Sequence, residues 1–228
     1  MKILGMEKVS FVDYEGKICT TIFTGGCNYK CPFCHNSGIV KQEYKEITEN
    51  EVIEHLLSRK KMIDALTISG GEPTLQPDLE NFVRKIKDLG FLVKLDTNGT
   101  NPEVLKNLLD KNLLDYVAMD VKNNFDSYNQ ICGTHLTQIE NVKKSLDLLK
   151  NSEIDYELRT TLVNNFHKKE NIEKLAKDIA GHKKLFLQKF VESDTCFDKN
   201  LEEVPLLDAQ EFQKILEKEI SAVKLRGY

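Results

Sequence analysis

Apolar and polar positions along this chain follow two rhythms that take turns. Short β-rich runs alternate with longer stretches whose apolar residues recur every three or four positions, the marks of strand and amphipathic helix. "GKICTTIFT" (16–24) reads as a strand, hairpinned through "DYEGK" to a preceding strand around residues 3–11. "TENEVIEHLLSRKK" is a helix opened by a capping box, Thr48 with Glu51 three residues on. A strand in "DALTISGG" leads to a helix in "PDLENFVRKIKDLG" that Gly90 closes. A strand in "FLVKLDTNG" leads to a helix in "NPEVLKNLLDKN", with Asn101 as cap and Pro102 at its first position. A strand in "DYVAMDVK" precedes "TQIENVKKSLDLLK", read as a second capping-box helix from Thr137 and Glu140. "DYELRTTLV", "KENIEKLAKDIAG", "KLFLQKFV" and "DAQEFQKILEKEI" complete the series.

Six β/α units over about 200 residues predict parallel strands joined by right-handed helical crossovers. A closed eight-unit barrel needs about 250 residues, so the expectation is an α/β fold, a partial, open (β/α)6 TIM-like barrel. No internal linker or low-complexity segment interrupts it. Residues 1–228 read as one domain, with an N-terminal hairpin over 3–24 and a core barrel over 17–220.

In such barrels function collects at the C-terminal ends of the strands, and the unusual polar residues fall there. Cys27, Cys31 and Cys34 follow the first barrel strand, "SGGEP" the second, and "DTNG" and "MDVK" end the third and fourth. Arg159, in "ELRTTLV", sits in the middle of the fifth, an odd residue for a buried strand.

Composition narrows the classes. Hydrophobic residues at 40% and charged residues at 30% suit a soluble globular chain. A net charge of −4 leaves no basic excess to displace counterions from phosphate, so nucleic acid is not an expected partner. No apolar run reaches the roughly 18–20 residues of a membrane helix. The N-terminal "MKILGMEK" meets charge too early for a secretory signal. The expected location is the cytoplasm, where thiols stay reduced, so the six cysteines point away from disulfides and toward metal or catalysis.

The loop "TIFTGGCNYKCPFCHNSG" spaces its cysteines C-x3-C-x2-C. Three readings compete: small buried packing residues, zinc held by three cysteines and His35, and an iron–sulfur cluster held by thiolates. Zinc knuckles usually come in separated pairs, and no second knuckle follows. A cubane on three thiolates leaves one iron open to a chelating small molecule. Cys19, Cys132 and Cys196 stand alone and read as packing residues or ordinary thiols. His55, His135, His167 and His182 share no ligand spacing.

"CNYKCPFCHN", with Phe33 directly before the third cysteine and "GGEP" beginning 36 residues after Cys34, resembles the radical S-adenosylmethionine (SAM) superfamily over nearly the whole chain. The resemblance implies a radical SAM type barrel and a [4Fe-4S] cluster on Cys27, Cys31 and Cys34. The amino and carboxylate groups of SAM would chelate the unique iron. It implies that Gly70, Gly71 and Glu72 hold the SAM amino group, that Lys122 meets its carboxylate, and that Phe33 and His35 support the pocket. Asp96, Thr97, Met119 and Asp120 resemble a monovalent-cation site beside that carboxylate. Arg159 would contact SAM or an incoming protein, and Gln188 and Lys189 its ribose or adenine. Without the resemblance, these residues also suit turns, strand ends and rim ion pairs.

The implied chemistry is reductive cleavage of SAM followed by hydrogen-atom abstraction. "CHN", "DTNG", "MDVK" and "FLQKFVESDTCFD" are similar to the activating proteins of anaerobic ribonucleoside-triphosphate reductase, relatives of pyruvate formate-lyase activating enzyme. The implied partners are a glycyl-radical enzyme and a flavodoxin or ferredoxin as electron donor. Two other substrates stay open: another glycyl-radical enzyme such as pyruvate formate-lyase, or a small molecule of modified-nucleoside biosynthesis. A zinc-binding interaction module is a reading from another class.

Overall fold

In the computed structural model, which describes residues 1–135 and 138–228, one eight-stranded sheet follows the chain in order from β1 to β8. β1 (Ile3–Ser10) is antiparallel to β2 (Cys19–Thr24), the expected hairpin. β3 (Ala65–Gly70), β4 (Leu92–Thr97), β5 (Tyr116–Asp120), β6 (Asp155–Leu162), β7 (Lys184–Lys189) and β8 (Ala222–Arg226) each run parallel to the strand before. β1 and β8 remain the edges, so the sheet is an open, partial TIM-like barrel.

Helices α1 (Ser37–Lys41) and α2 (Glu49–Ser58) link β2 to β3; α3 (Leu79–Asp88) and α4 (Pro102–Asp110) make the next two crossovers. α5 (Tyr128–Ile131) and α6 (Ile139–Lys150) follow β5, α7 (Lys169–Asp178) follows β6, and α8 (Leu206–Leu216) follows β7. The six β/α units are therefore present. β8, from "AVKLR", is a further parallel strand, in which Val223 and Leu225 alternate with Lys224 and Arg226.

Local signals operate as the sequence indicates, with one difference. The Glu51 amide donates to Thr48 Oγ1 at 3.2 Å and the Thr48 amide to Glu51 Oε2 at 2.7 Å, closing the capping box of α2. Asn101 occupies the cap position of α4, yet its side chain forms no cap bond. Its Nδ2 donates instead to Thr74 Oγ1 at 3.0 Å, which ties α4 to the turn after β3. The capping box expected from Thr137 lies outside the described residues. Among those described, no helix is long and apolar enough to cross a membrane.

Period-two alternation gives each strand two unlike faces. Leu66, Ile68, Val93, Leu95, Val117, Leu158, Leu185 and Leu187 are fully buried in one hydrocarbon cluster with Val52, Leu56, Phe82, Ile86 and Leu105 of the helices. The intervening positions Thr67, Ser69, Lys94, Asp96, Asp120, Glu157 and Arg159 turn inward, where charges meet across strands.

Candidate active site

The C-terminal strand ends surround a cavity of about 340 Å³, within the usual range of small-molecule sites (roughly 300–1,000 Å³). Cys27, Cys31, Phe33, Cys34 and His35 border it from the loop after β2, and Gly70, Gly71 and Glu72 from the turn after β3. Asp96 and Thr97 come from β4, Asp120 from the end of β5 and Lys122 from two residues beyond it, Arg159 from β6, and Gln188 and Lys189 from β7. The fold thus brings together every site residue that the sequence singled out except Met119. That side chain is fully buried on the opposite face of β5, where a Cβ placed on Gly99 would lie 2.1 Å from its Cε.

The cysteine loop is pinned from two sides. The Lys30 amide donates to the Cys132 carbonyl at 2.9 Å, and the Asp198 amide to the Pro32 carbonyl at 3.0 Å. Within the loop the Tyr29 amide donates to Cys27 Sγ at 3.4 Å and the Cys34 amide to the Cys31 carbonyl at 3.0 Å. Burial pushes the Cys27 thiol up to about 12 and raises that of Cys34 as well. Cys31 goes the other way, because the thiol of fully buried Cys132 donates to its sulfur and outweighs burial. All three are free thiols. No three His, Cys, Asp or Glu side chains among the described residues are grouped as ligands of a single ion. A cubane takes each thiolate on a different iron and does not require that convergence. His35 is exposed and packs on Phe190, with ring centroids 5.8 Å apart.

The "SGGEP" turn lies directly on that loop. The Gly71 amide donates to the Thr24 carbonyl and the Glu72 amide to the Gly26 carbonyl, both at 2.9 Å. A Cβ on Gly71 would fall 1.8 Å from the Gly26 oxygen, and Gly70 adopts φ +116, so neither position tolerates a side chain. Glu72 is tied into the protein itself. It is fully buried, and Oε1 accepts from the Thr74 amide at 3.1 Å, Thr74 Oγ1 at 2.5 Å and Thr97 Oγ1 at 2.7 Å. Oε2 accepts from the Asn98 amide at 2.7 Å. The carboxylate locks the β3 and β4 turns together, and burial raises its pKa against these four donors.

Opposite, the charges form a chain. Arg159 donates from Nε to Asp120 Oδ1 at 2.8 Å and from Nη1 to Asp96 Oδ2 at 3.1 Å; Lys122 Nζ donates to Asp120 Oδ2 at 2.7 Å. Burial opposes ionisation of Asp120 and Asp96, but Arg159 with Lys122 or Lys94 outweighs it and holds both carboxyls below their ordinary range. Burial opposes the charge of Lys122, but Asp120, with the Cys31 sulfur, outweighs it and holds the ammonium protonated, its Nζ 5.9 Å from the centre of the Phe33 ring.

Sequence reasoning missed three supports. Asn98 Nδ2 donates to Asn28 Oδ1 at 2.8 Å and Asn28 Nδ2 to Thr100 Oγ1 at 2.9 Å, which binds the cysteine loop to the β4 turn. Fully buried His167 sets Nε2 against the Lys122 carbonyl at 2.9 Å while Nδ1 accepts from the Val163 amide at 3.0 Å. Tyr128 Oη accepts from the Lys122 amide at 3.1 Å. The only sequence signal was residue type, with Asn98, Thr100 and the Lys122 carbonyl 45 to 72 positions from Asn28 and His167.

Soft thiols on one wall, a glycine cradle that admits backbone contact, and paired acids and bases opposite suit an iron–sulfur cluster beside a zwitterion. The comparisons agree. The Radical SAM superfamily profile matches residues 21–180. A protein of Methanocaldococcus jannaschii, provisionally named a glycyl-radical enzyme activating enzyme, is 37% identical over 98% of this chain and 95% of its own length. The pyruvate formate-lyase-activating enzyme of Clostridium pasteurianum is 31% identical over 77% of this chain and 74% of its own. In fold, Streptococcus suis SuiB bound to S-adenosylmethionine superposes with a TM-score of 0.67 at 14% identity, over 90% of this chain and 49% of that one. The superfamily works with a [4Fe-4S] cluster and SAM. The chain belongs to the radical SAM superfamily, among the glycyl-radical enzyme activating enzymes.

Proposed function

We propose that Cys27, Cys31 and Cys34 hold the [4Fe-4S] cluster and that SAM lies across the cavity with its methionyl end toward them. The observation that carries this reading is the shared cavity: the three thiols border the same space as Lys122 and the Gly70–Gly71 cradle. Lys122 meets the SAM carboxylate through a charge-assisted bond, and Asp120 and His167 fix its side chain and backbone. Backbone carbonyls of the glycine turn accept from the SAM ammonium. Glu72 acts through that turn by holding it in shape. Phe33 and Tyr29, both buried, shield the thiols from water.

When bound and supplied with one electron, the cluster and SAM would support abstraction of a hydrogen atom, with methionine and 5′-deoxyadenosine as the products. We propose a glycine Cα of a glycyl-radical enzyme as the donor of that atom. Anaerobic ribonucleoside-triphosphate reductase is the first candidate, on the motif set "CHN", "DTNG", "MDVK" and "FLQKFVESDTCFD". Pyruvate formate-lyase is the second, favoured by the activating enzyme that is 31% identical. A flavodoxin or ferredoxin is the proposed electron donor. The test mixes reduced, reconstituted protein and SAM with each partner separately. A glycyl-radical EPR doublet on the reductase is expected. A doublet on the lyase alone reassigns the target, and turnover of a small molecule without any protein partner contradicts the activase reading.

A further inference from the structure

The four residues that resemble a monovalent-cation site are already engaged. Asp96 Oδ2 accepts from Ser69 Oγ at 3.0 Å and from Arg159, and Asp120 from Arg159 and Lys122. Thr97 Oγ1 donates to Glu72 and accepts from the Gly99 amide at 3.1 Å, while Met119 packs on the far side of its strand. Among the side-chain oxygens of these residues, Asp96 Oδ1 is buried without an aligned hydrogen bond. Lys94 stands two residues earlier on the same face of β4, is 4% exposed, and sets Nζ 3.2 Å from that oxygen. The ammonium is held from behind, since it donates to the Asp13 carbonyl in the β1–β2 connection and lies 5.8 Å from the centre of the Tyr116 ring.

A lysine head group is a compact point charge with freely turning donors, the part of the side-chain repertoire nearest to an alkali ion. Asp96 and Asp120 face Lys94 and Arg159, so two anions meet two cations before Lys122 is counted. A further cation beside Oδ1 would meet the ammonium as a like charge. We propose that Lys94 is a counter-ion built into the barrel at the place of a sodium or potassium ion, so that this chain binds SAM without a monovalent metal cation. The proposal rests on reading the cavity as a SAM site. In it Lys94 is a positioning residue: it holds Asp96, Asp96 and Arg159 hold Asp120, and Asp120 holds Lys122.

The experiment compares choline chloride, NaCl and KCl at equal ionic strength on the cluster-loaded chain, reading melting temperature without SAM and SAM affinity separately. The wild-type melting temperature should not depend on the cation, and its SAM affinity should change by less than about twofold. Lys94→Gln keeps a donor for the Asp13 carbonyl and loses the charge. It should gain a melting-temperature rise in NaCl or KCl, as native-state binding requires, and about tenfold tighter SAM binding in the same salts. Lys94→Met is the second variant if Lys94→Gln does not fold. A wild-type chain that needs sodium or potassium overturns the proposal whatever the variants do. Variants that stay indifferent to cations overturn the assignment to Lys94. Absence of SAM binding in every salt counts against the functional reading instead, and the melting temperatures still decide the role of Lys94.

Discussion

On β4, Val93 and Leu95 turn outward into hydrocarbon with no exposure, whereas Lys94 and Asp96 turn inward as an ion pair 3.2 Å apart. On β6, Leu158 and Leu162 pack outward while Glu157 and Arg159 carry charge inward. The same backbone therefore supports two chemistries one residue out of phase. The outer face gains stability from apolar burial, roughly 25 cal/mol per Å². The inner face removes charges from water, a penalty that ion pairing in such a setting at best offsets. Stability belongs to the helix side and recognition to the barrel side, and substitutions on the two faces should fail differently.

The largest expected effect on stability is on the outer face. Phe82 is fully buried between α3 and the sheet, and Phe82→Ala should cost about 3–5 kcal/mol in urea unfolding. SAM affinity per folded chain should not change. A loss of affinity matching that of an inner-face variant would break the division between the faces.

Next comes His167, which stands under the barrel rim. Burial pushes its pKa down from 6.5 to about 4, and both ring nitrogens already have partners suited to the neutral ring. The unfolded chain takes up a proton that the native ring refuses. This contribution is therefore present above pH 6.5 and is lost as pH falls toward 4, by at most about 3 kcal/mol. Buried His182, with its pKa also lowered to about 4, adds loss in the same window. Urea unfolding across this range should show the decline, and His167→Gln should flatten its share. An unchanged slope in that variant would remove His167 from the acid transition.

Smallest in free energy, and most specific, is Lys122→Ala. Arg159 still pairs Asp120 in this variant, so the fold should hold. SAM affinity should fall about tenfold to a hundredfold, the range of one charge-assisted hydrogen bond. Equilibrium dialysis with labelled SAM measures it, and an unchanged affinity would separate Lys122 from the SAM carboxylate.

Much of this was legible in the sequence because it is written at short range. The two periodicities gave β2 to β7 and their helices, and C-x3-C-x2-C and "GGEP" gave the walls of the cavity. β8 escaped because five residues with Lys224 and Arg226 among them carry little apolar signal. Glu72 was identified by residue type, but the four donors that occupy its carboxylate come from Thr74, Thr97 and Asn98, and no local spacing announces such convergence. His167 and Asn28 were invisible for the same reason, since their partners are 45 and 70 positions away. Lys94 was readable in principle. It is an ionisable residue inside a buried strand, in phase with Asp96, and shows the same signal that drew attention to Arg159.

The central claim is that the inner rim holds a cubane on Cys27, Cys31 and Cys34 alone, although the Cys132 thiol lies against Cys31. Iron and acid-labile sulfide analysis of anaerobically reconstituted Cys31→Ala and Cys132→Ala, beside the unaltered chain, tests it most directly. The account predicts equal iron and sulfide at one cubane per chain in the unaltered protein and in Cys132→Ala, with neither retained in Cys31→Ala. A cluster that survives in Cys31→Ala, or disappears in Cys132→Ala, would contradict it.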